Sequence, residues 1–338
     1  MTSQTSCSTC FVMQVKRIRE LPFREVYLPP CLTEAETNAK LGTLLNDSDF
    51  DEDKIFRENV NAYCAETKAP LFFLRRGIIS KELVVTAFNS FLKAAGKSYN
   101  RGMASGSDPG EEALSELLRL TGAVAYRKAK GNATRYEVLC SDGSWSNTSY
   151  AAPINSGVAG FYPKTPRVPY CRLTAFTQNH VEEFRAGLPL VHLVDNVYKA
   201  LVPDSYALQR EEANRTSPDF VIKDTSFTTI TVNKNWQTAC HTDKGDFEQG
   251  FGNLVALRKG KYSGGFTILP RYRAGVDLQN GDVLLMDVHK VHGNSKIVKM
   301  APGAVRLSLV HYYRADMINC GTQKDELEEA RRKRQKLL

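Results

Sequence analysis

The feature that most constrains this chain is a run of short β-type segments in its second half, each closed by a turn signal. Residues 225–232 (TSFTTITV), 251–258, 265–269, 283–288 and 305–313 (VRLSLVHYY) are rich in β-branched and aromatic side chains. Between them lie KGK at 259–261, SGG at 263–265, NGD at 280–282, HGN at 292–294 and a Pro-Gly pair at 302–303. Many short strands at this spacing make a sandwich or barrel rather than a doubly wound sheet.

Helical signals flank this region. Residues 80–95 carry Leu83, Val84, Ala87, Phe88, Phe91 and Leu92 at helical spacing behind Ser80, an N-cap residue. Residues 111–121 read as a short helix, and 180–201 as a helix broken near Pro189. The Gly- and Ser-rich stretch 100–110 is a loop that can line a site mouth, and residues 70–76 (PLFFLRR) form a buried strand. The expected class is therefore α+β, a β-sandwich core with flanking helices. Three parts are expected: an N-terminal extension (1–69), a main domain (70–320, core about 160–320) and a charged C-terminal tail (321–338).

A chain of 338 residues, 42% hydrophobic, buries a sizeable core. Its net charge of +8 favours an acidic partner, weakly on its own. Residues 1–10 are polar, unlike a secretory leader, and no apolar run reaches the roughly 20 residues of a membrane span. The expectation is a soluble intracellular protein, nuclear or, for a viral protein, in the host cytoplasm, with its eight cysteines reduced. Cys7 and Cys10 form a CxxC pair with no second pair at matching spacing, so they read as part of a polar terminus rather than half a zinc site.

Four of the six histidines fall between 241 and 311. His241 and Asp243 are two apart, and in extended chain they point to the same side. His292, 49 residues beyond Asp243, supplies a third ligand; His289 competes for that place, but the Gly293-Asn294 turn and the spacing to Arg306 favour His292. Two imidazoles and one carboxylate on one face leave three positions open on iron(II), enough for a chelating 2-oxo acid and dioxygen. Arg306 lies on an apolar strand, where a charge is costly unless paired, and it suits the distal carboxylate of 2-oxoglutarate with help from Ser308.

The stretches 227–270 (FTTITVNKNWQTACHTDKGDFEQGFGNLVALRKGKYSGGFTILP), 281–294 (GDVLLMDVHKVHGN) and 306–314 (RLSLVHYYR) resemble the TET/JBP oxygenases of nucleic-acid bases, particularly the J-binding-protein thymine hydroxylases and related phage and large-virus forms. The resemblance spans about 160–320 and weakens back to Pro70. It implies a double-stranded β-helix (jelly-roll, cupin-like) core, with iron on His241, Asp243 and His292, and 2-oxoglutarate on Arg306 and Ser308. It implies oxidation of the 5-methyl group of a pyrimidine flipped out of DNA. Asp246, Arg314 and Asn233 are then the expected base contacts. Arg314 departs from the histidine that TET enzymes place there. A carboxylate at Asp246 accepts from the amino group of cytosine, which leans the expectation to 5-methylcytosine over thymine. The rival readings are a thymine hydroxylase, a protein or small-molecule hydroxylase, and an inactive DNA-binding module. Trp236, Phe247 and Phe251 are candidate stacking partners for a base, and Lys244, Arg258, Lys259, Lys261, Arg271 and Arg273 are candidate phosphate contacts. The oligomeric state is not set by the sequence.

Overall fold

The computed structural model describes residues 18–298 and 300–335. Its frame is a long mixed sheet. In spatial order this sheet runs β1 (Arg24–Leu28), β3 (Val60–Cys64), β4 (Pro70–Arg75), β10 (Val283–Met286), β7 (Gly252–Lys259), β12 (Val305–Tyr312), β6 (Thr229–Lys234) and β5 (Ile154–Tyr162). A smaller sheet follows the order β11 (Gly293–Asn294), β8 (Thr267–Leu269), β9 (Ala274–Val276), β2 (Ile55–Phe56). The pairs β1/β3 and β9/β2 are parallel, and the pairs around the centre are antiparallel. Two antiparallel-rich sheets with helices on one outer face are the expected jelly-roll arrangement.

Strand β12 shows how the sequence builds both faces. Leu307 and Leu309 point to one side, where they join Val255, Leu257, Ile230 and Val232 in a core roofed by helices. Arg306, Ser308, Val310 and Tyr312 alternate with them and line a cavity on the other side. The roof is α1 (Lys81–Phe91) and α3 (Val181–Leu201); α2 (Glu111–Thr121) lies between them in the chain and α4 (Pro203–Arg215) follows. Ser80 caps α1, its hydroxyl accepting from the Leu83 amide at 3.2 Å. Gly187 of α3 lets the two helices close on each other: a Cβ there would meet the Phe91 ring at 2.6 Å.

Some expectations are corrected. Helix α3 is continuous through Pro189. Pro189 and Arg185 both face solvent, so the carbonyl that the missing amide releases is open to water, while Leu190, Val191, Val194 and Val197 hold the buried face in place. The boundary at 69 is not a break in the fold. β1 and β3 continue the large sheet by pairing β3 with β4, and β2 closes the small one. Of the tail, Gln323–Gln335 forms α5, anchored by buried Glu326, which accepts from the Cys171 amide at 2.8 Å and pairs with Lys164 at 3.0 Å. Cys171 and Cys320 form a disulfide, contrary to the reading of all cysteines as reduced. They meet because the segment before β6 and the chain after β12 pack in one apolar cluster with Phe220, Tyr313 and Met317. Cys7 and Cys10 lie outside the described residues. Among the described residues no helix is long and apolar enough to cross a membrane.

Candidate active site

The two sheets enclose a cavity of about 510 Å³. Every residue expected at the site lines it: Asn233, His241, Asp243, Asp246, His292, Arg306, Ser308 and Arg314. The loop read as a possible mouth also contributes, through residues 100–104.

His241 and His292 are held by an isolated antiparallel bridge, with amide-to-carbonyl bonds of 2.9 and 3.0 Å in the two directions. That pairing points both rings the same way, 4.3 Å apart between centroids. Each Nδ1 donates to a carbonyl two residues back, His241 to Ala239 at 2.8 Å and His292 to Lys290 at 2.9 Å. A proton fixed on Nδ1 leaves the Nε2 lone pair free as a ligand. The Asp243 carboxylate lies between them, 3.4 Å from Nε2 of His241 and 3.8 Å from Nε2 of His292. One ligand atom from each residue falls within 4.8 Å of the others, so the three can hold one metal ion. Burial pushes Asp243 up, but the two imidazoles outweigh it and bring the carboxyl down to about 2. Burial and then the charge of His241 bring His292 down to about 4. Burial also opposes protonation of His241, but the hydrogen bond and charge of Asp243 prevail and hold it above the ordinary imidazole range. His289, the competing ligand, points elsewhere and bonds the Phe247 carbonyl at 3.1 Å.

Arg306 is 3% exposed and faces the same cavity. Its Nη2 donates to the Gly265 carbonyl at 3.2 Å. Gly265, at φ +72°, gives the guanidinium room, since a Cβ there would lie 3.2 Å from Nε. Among the described residues no carboxylate is within ion-pair distance of Arg306, and burial lowers its pKa. A buried guanidinium without a counter-ion, facing a cavity that also holds a metal-ligand group, fits a dicarboxylate cofactor. Ser308 pairs in register with Asn233 across β12 and β6, so both face the cavity beside it.

The expected base contacts sit together. Asp246 and Arg314 form a second isolated bridge through their backbones. Burial, with the charge of Asp243, pushes the Asp246 carboxyl well above its usual range against the opposing charge of Arg314. Asn233 accepts from the Ser156 hydroxyl at 2.6 Å, which leaves its NH₂ group as a donor. Of the aromatic candidates, Phe251 packs in the core against Phe73 and Phe247 packs on Tyr313, while Trp236 lines the cavity. Three candidate phosphate contacts are engaged within the fold: Arg258 and Arg273 pair with Asp277 and Asp51, and Arg271 pairs with Glu34. Lys244 lines the cavity; Lys259 and Lys261 are solvent-facing. Sequence reasoning did not single out Arg101 and Arg135, which reach the cavity from outside the β-rich region.

Residues 158–315 match the profile of the Tet/JBP family, described as the oxygenase domain of the 2OGFeDO superfamily. The thymine dioxygenase JBP1 of Trypanosoma brucei brucei is 42% identical over 166 residues, which is 48% of this chain and 19% of that protein. The bifunctional helicase and thymine dioxygenase JBP2 of Trypanosoma brucei brucei (strain 927/4 GUTat10.1) is 35% identical over 175 residues, 50% of this chain and 16% of that protein. The chain thus spans about a fifth of the length of these curated relatives. The solved structure of NgTET1 in complex with 5mC DNA superimposes with a TM-score of 0.53 at 12% identity, covering 98% of this chain and 99% of that one, and so shares its fold. The profile match and the cavity geometry agree: residues 158–315 are similar to the Tet/JBP-type oxygenase domain of the 2OGFeDO superfamily, whose cofactors are iron(II) and 2-oxoglutarate.

Proposed function

We propose that this chain is an iron(II)- and 2-oxoglutarate-dependent dioxygenase that hydroxylates the 5-methyl group of a pyrimidine flipped out of DNA, with thymine as the first substrate. The observation that carries the reading is the convergence, in one cavity, of the His241–Asp243–His292 group and the unpaired buried Arg306.

In this reading His241 and His292, through Nε2, and the Asp243 carboxylate hold iron. Arg306 and Ser308 hold the distal carboxylate of 2-oxoglutarate. Once bound, iron(II), 2-oxoglutarate and dioxygen supply an oxidant strong enough to convert a methyl C–H bond to a C–OH bond. The protein places the base and excludes water: Leu254, Leu278, Val288 and Val310 give the cavity apolar walls, and Asp246, Asn233 and Arg314 meet the polar edge of the base.

One finding favours thymine over 5-methylcytosine, and the site itself suits either base. The relatives matched at 42% and 35% identity are thymine dioxygenases. The lean to cytosine rested on Asp246 as a pure acceptor, yet burial raises its carboxyl, and in the neutral form it both donates and accepts and so serves either pyrimidine edge. An ionised Asp246, accepting from the cytosine amino group, is what favours 5-methylcytosine as the second reading.

The test is mass spectrometry of nucleosides after incubation with iron(II), 2-oxoglutarate and ascorbate. One DNA carries 5-methylcytosine and one only unmodified bases, with His241→Ala as control. Hydroxymethyluracil from both DNAs is expected. Hydroxymethylcytosine from the methylated DNA alone makes the second reading correct. Succinate without any oxidised base removes DNA pyrimidines as the target.

A further inference from the structure

We infer that the segment between residues 97 and 150, which precedes the matched oxygenase domain, grips the DNA backbone, with Arg101 and Arg135 holding phosphates of the nucleotide whose base enters the cavity. The inference rests on the DNA reading above and deepens it.

Charge is the first argument. Arg101, Arg135, Lys244, Arg306 and Arg314 line the cavity. Among the described residues only Asp243 and Asp246 oppose them. In the proposed function the iron(II) dication and the 2-oxoglutarate dianion cancel, so filling the site with cofactors leaves the positive excess in place. Arg306 answers the cofactor, and Arg314 lies across the bridge from Asp246. The remaining cations, Arg101, Arg135 and Lys244, face the cavity with no carboxylate at ion-pair distance among the described residues, although the charge of Arg101 is felt at Asp243. A nucleotide entering the cavity brings phosphates.

The two arginines are built for an anion. Among the described residues neither makes an ion pair with a carboxylate. Each spends a single donor on a carbonyl: Arg101 Nη2 on Gly157 at 2.8 Å, and Arg135 Nη1 on Ser149 at 3.1 Å. A guanidinium has five N–H donors in a planar fork, so most remain open. The Arg135 guanidinium also reaches the Arg101 loop, with Nη2 3.8 Å from where a Cβ on Gly102 would stand. Open guanidinium donors of this kind take a phosphate with bidentate bonds. By contrast, Arg258 and Arg273, outside this segment, already have carboxylate partners.

The grip is fixed relative to the metal-ligand group. The Ala239 amide donates to the Ala104 carbonyl at 3.0 Å, and the Gly42 amide donates to the Cys240 carbonyl at 2.7 Å. The Ser107 amide then donates to the Gly42 carbonyl at 2.8 Å. These bonds clip the loop of Arg101 to the backbone immediately before His241. Beyond it, the hairpin of Ala125–Lys128 and Tyr136–Leu139 presents Lys128 and Lys130 to solvent, extending the positive surface from Arg135.

The test is fluorescence anisotropy of a labelled duplex oligonucleotide across a KCl series, with manganese(II) and 2-oxoglutarate present to block turnover. Arg101→Gln and Arg135→Gln should each make the slope of log affinity against log salt shallower by about 1, and the double variant by about 2. Arg101→Lys and Arg135→Lys should keep the wild-type slope, which separates charge from folding. The affinity for 2-oxoglutarate should stay within twofold in all variants. Thymidine 5′-monophosphate, at the phosphate concentration of the oligonucleotide, should fail to displace it. Unchanged slopes in the Gln variants, with wild type binding normally, overturn the grip and leave the proposed function standing. Loss of 2-oxoglutarate affinity reassigns the arginines to the cofactor. Displacement by the mononucleotide places a free nucleotide in the site, and failure of wild type to bind DNA sinks the DNA reading itself.

Discussion

Replacing Arg306 by methionine separates a cofactor-binding arginine from a structural one, because the two roles predict opposite effects on the ligand-free protein. Arg306 is buried, with no carboxylate partner among the described residues, one weak carbonyl bond to Gly265 and the Tyr262 hydroxyl beside it. Removing an unpaired buried cation in favour of an apolar side chain of similar size is neutral to favourable, and the lost carbonyl bond costs about 1 kcal/mol. The ligand-free variant should therefore melt no more than a degree or two below wild type, or above it. The loss appears on adding cofactor. With manganese(II) in both samples, 2-oxoglutarate at about 100 times its Kd stabilises wild type by about 2.7 kcal/mol. For 338 residues at about 2.1 cal/mol/K each, the unfolding entropy is roughly 0.7 kcal/mol/K, so that stabilisation is a rise of about 4 °C in Tm. Differential scanning fluorimetry should show this rise in wild type and almost none in Arg306→Met at the same concentration. A variant that still gains about 4 °C refutes the carboxylate role. A ligand-free variant that melts more than about 5 °C lower shows that Arg306 holds the sheet rather than the cofactor.

Metal affinity should depend on pH through His241. Its pKa is held above the ordinary value of 6.5, so below that pKa the metal must displace a proton. Manganese(II) affinity should rise up to about tenfold per pH unit as pH climbs towards the His241 pKa and flatten above it, with calorimetry in two buffers reporting the released proton; a flat profile from pH 6 to 8 contradicts it. Gly187→Ala drives a methyl group into the Phe91 ring and should destabilise by about 1–3 kcal/mol in urea unfolding, partly recovered by adding Phe91→Leu. Thiol titration of the unreduced, denatured chain should find at least two fewer than eight thiols, and reducing the Cys171–Cys320 bond, which closes a loop of 149 residues, should cost up to about 5 kcal/mol.

What the sequence made legible follows the physics of each element. The β-rich half was readable because alternation and glycine turns are local, and each segment declares its own period. The metal-ligand group was readable for a related reason. His241 and Asp243 are two apart, and the turn at 293–294 marks where β11 meets the chain, so the pairing of His241 with His292 completes a pattern already half visible. The β1 and β2 segments were not readable as sheet, because each is short and its partner lies far along the chain: β1 pairs with β3 more than 30 residues on, and β2 finds β9 more than 200 residues on. β3, by contrast, pairs locally with β4 across residues 65–69, and its short, nearly fully buried run shows no alternation to declare it. Pro189 misled for the opposite reason. Its local penalty is real, yet tertiary burial of the opposite helix face outweighs it. Arg101 and Arg135 were hidden most completely, since nothing local distinguishes an unpaired arginine from a paired one. Only the folded chain shows that Arg127, on the same hairpin, finds Glu137 at 2.7 Å while Arg135 finds a carbonyl and an open cavity. Charges of one sign left facing a cavity after every nearby acid has been assigned are therefore better evidence of substrate than the net charge of +8, which counts paired and unpaired cations alike.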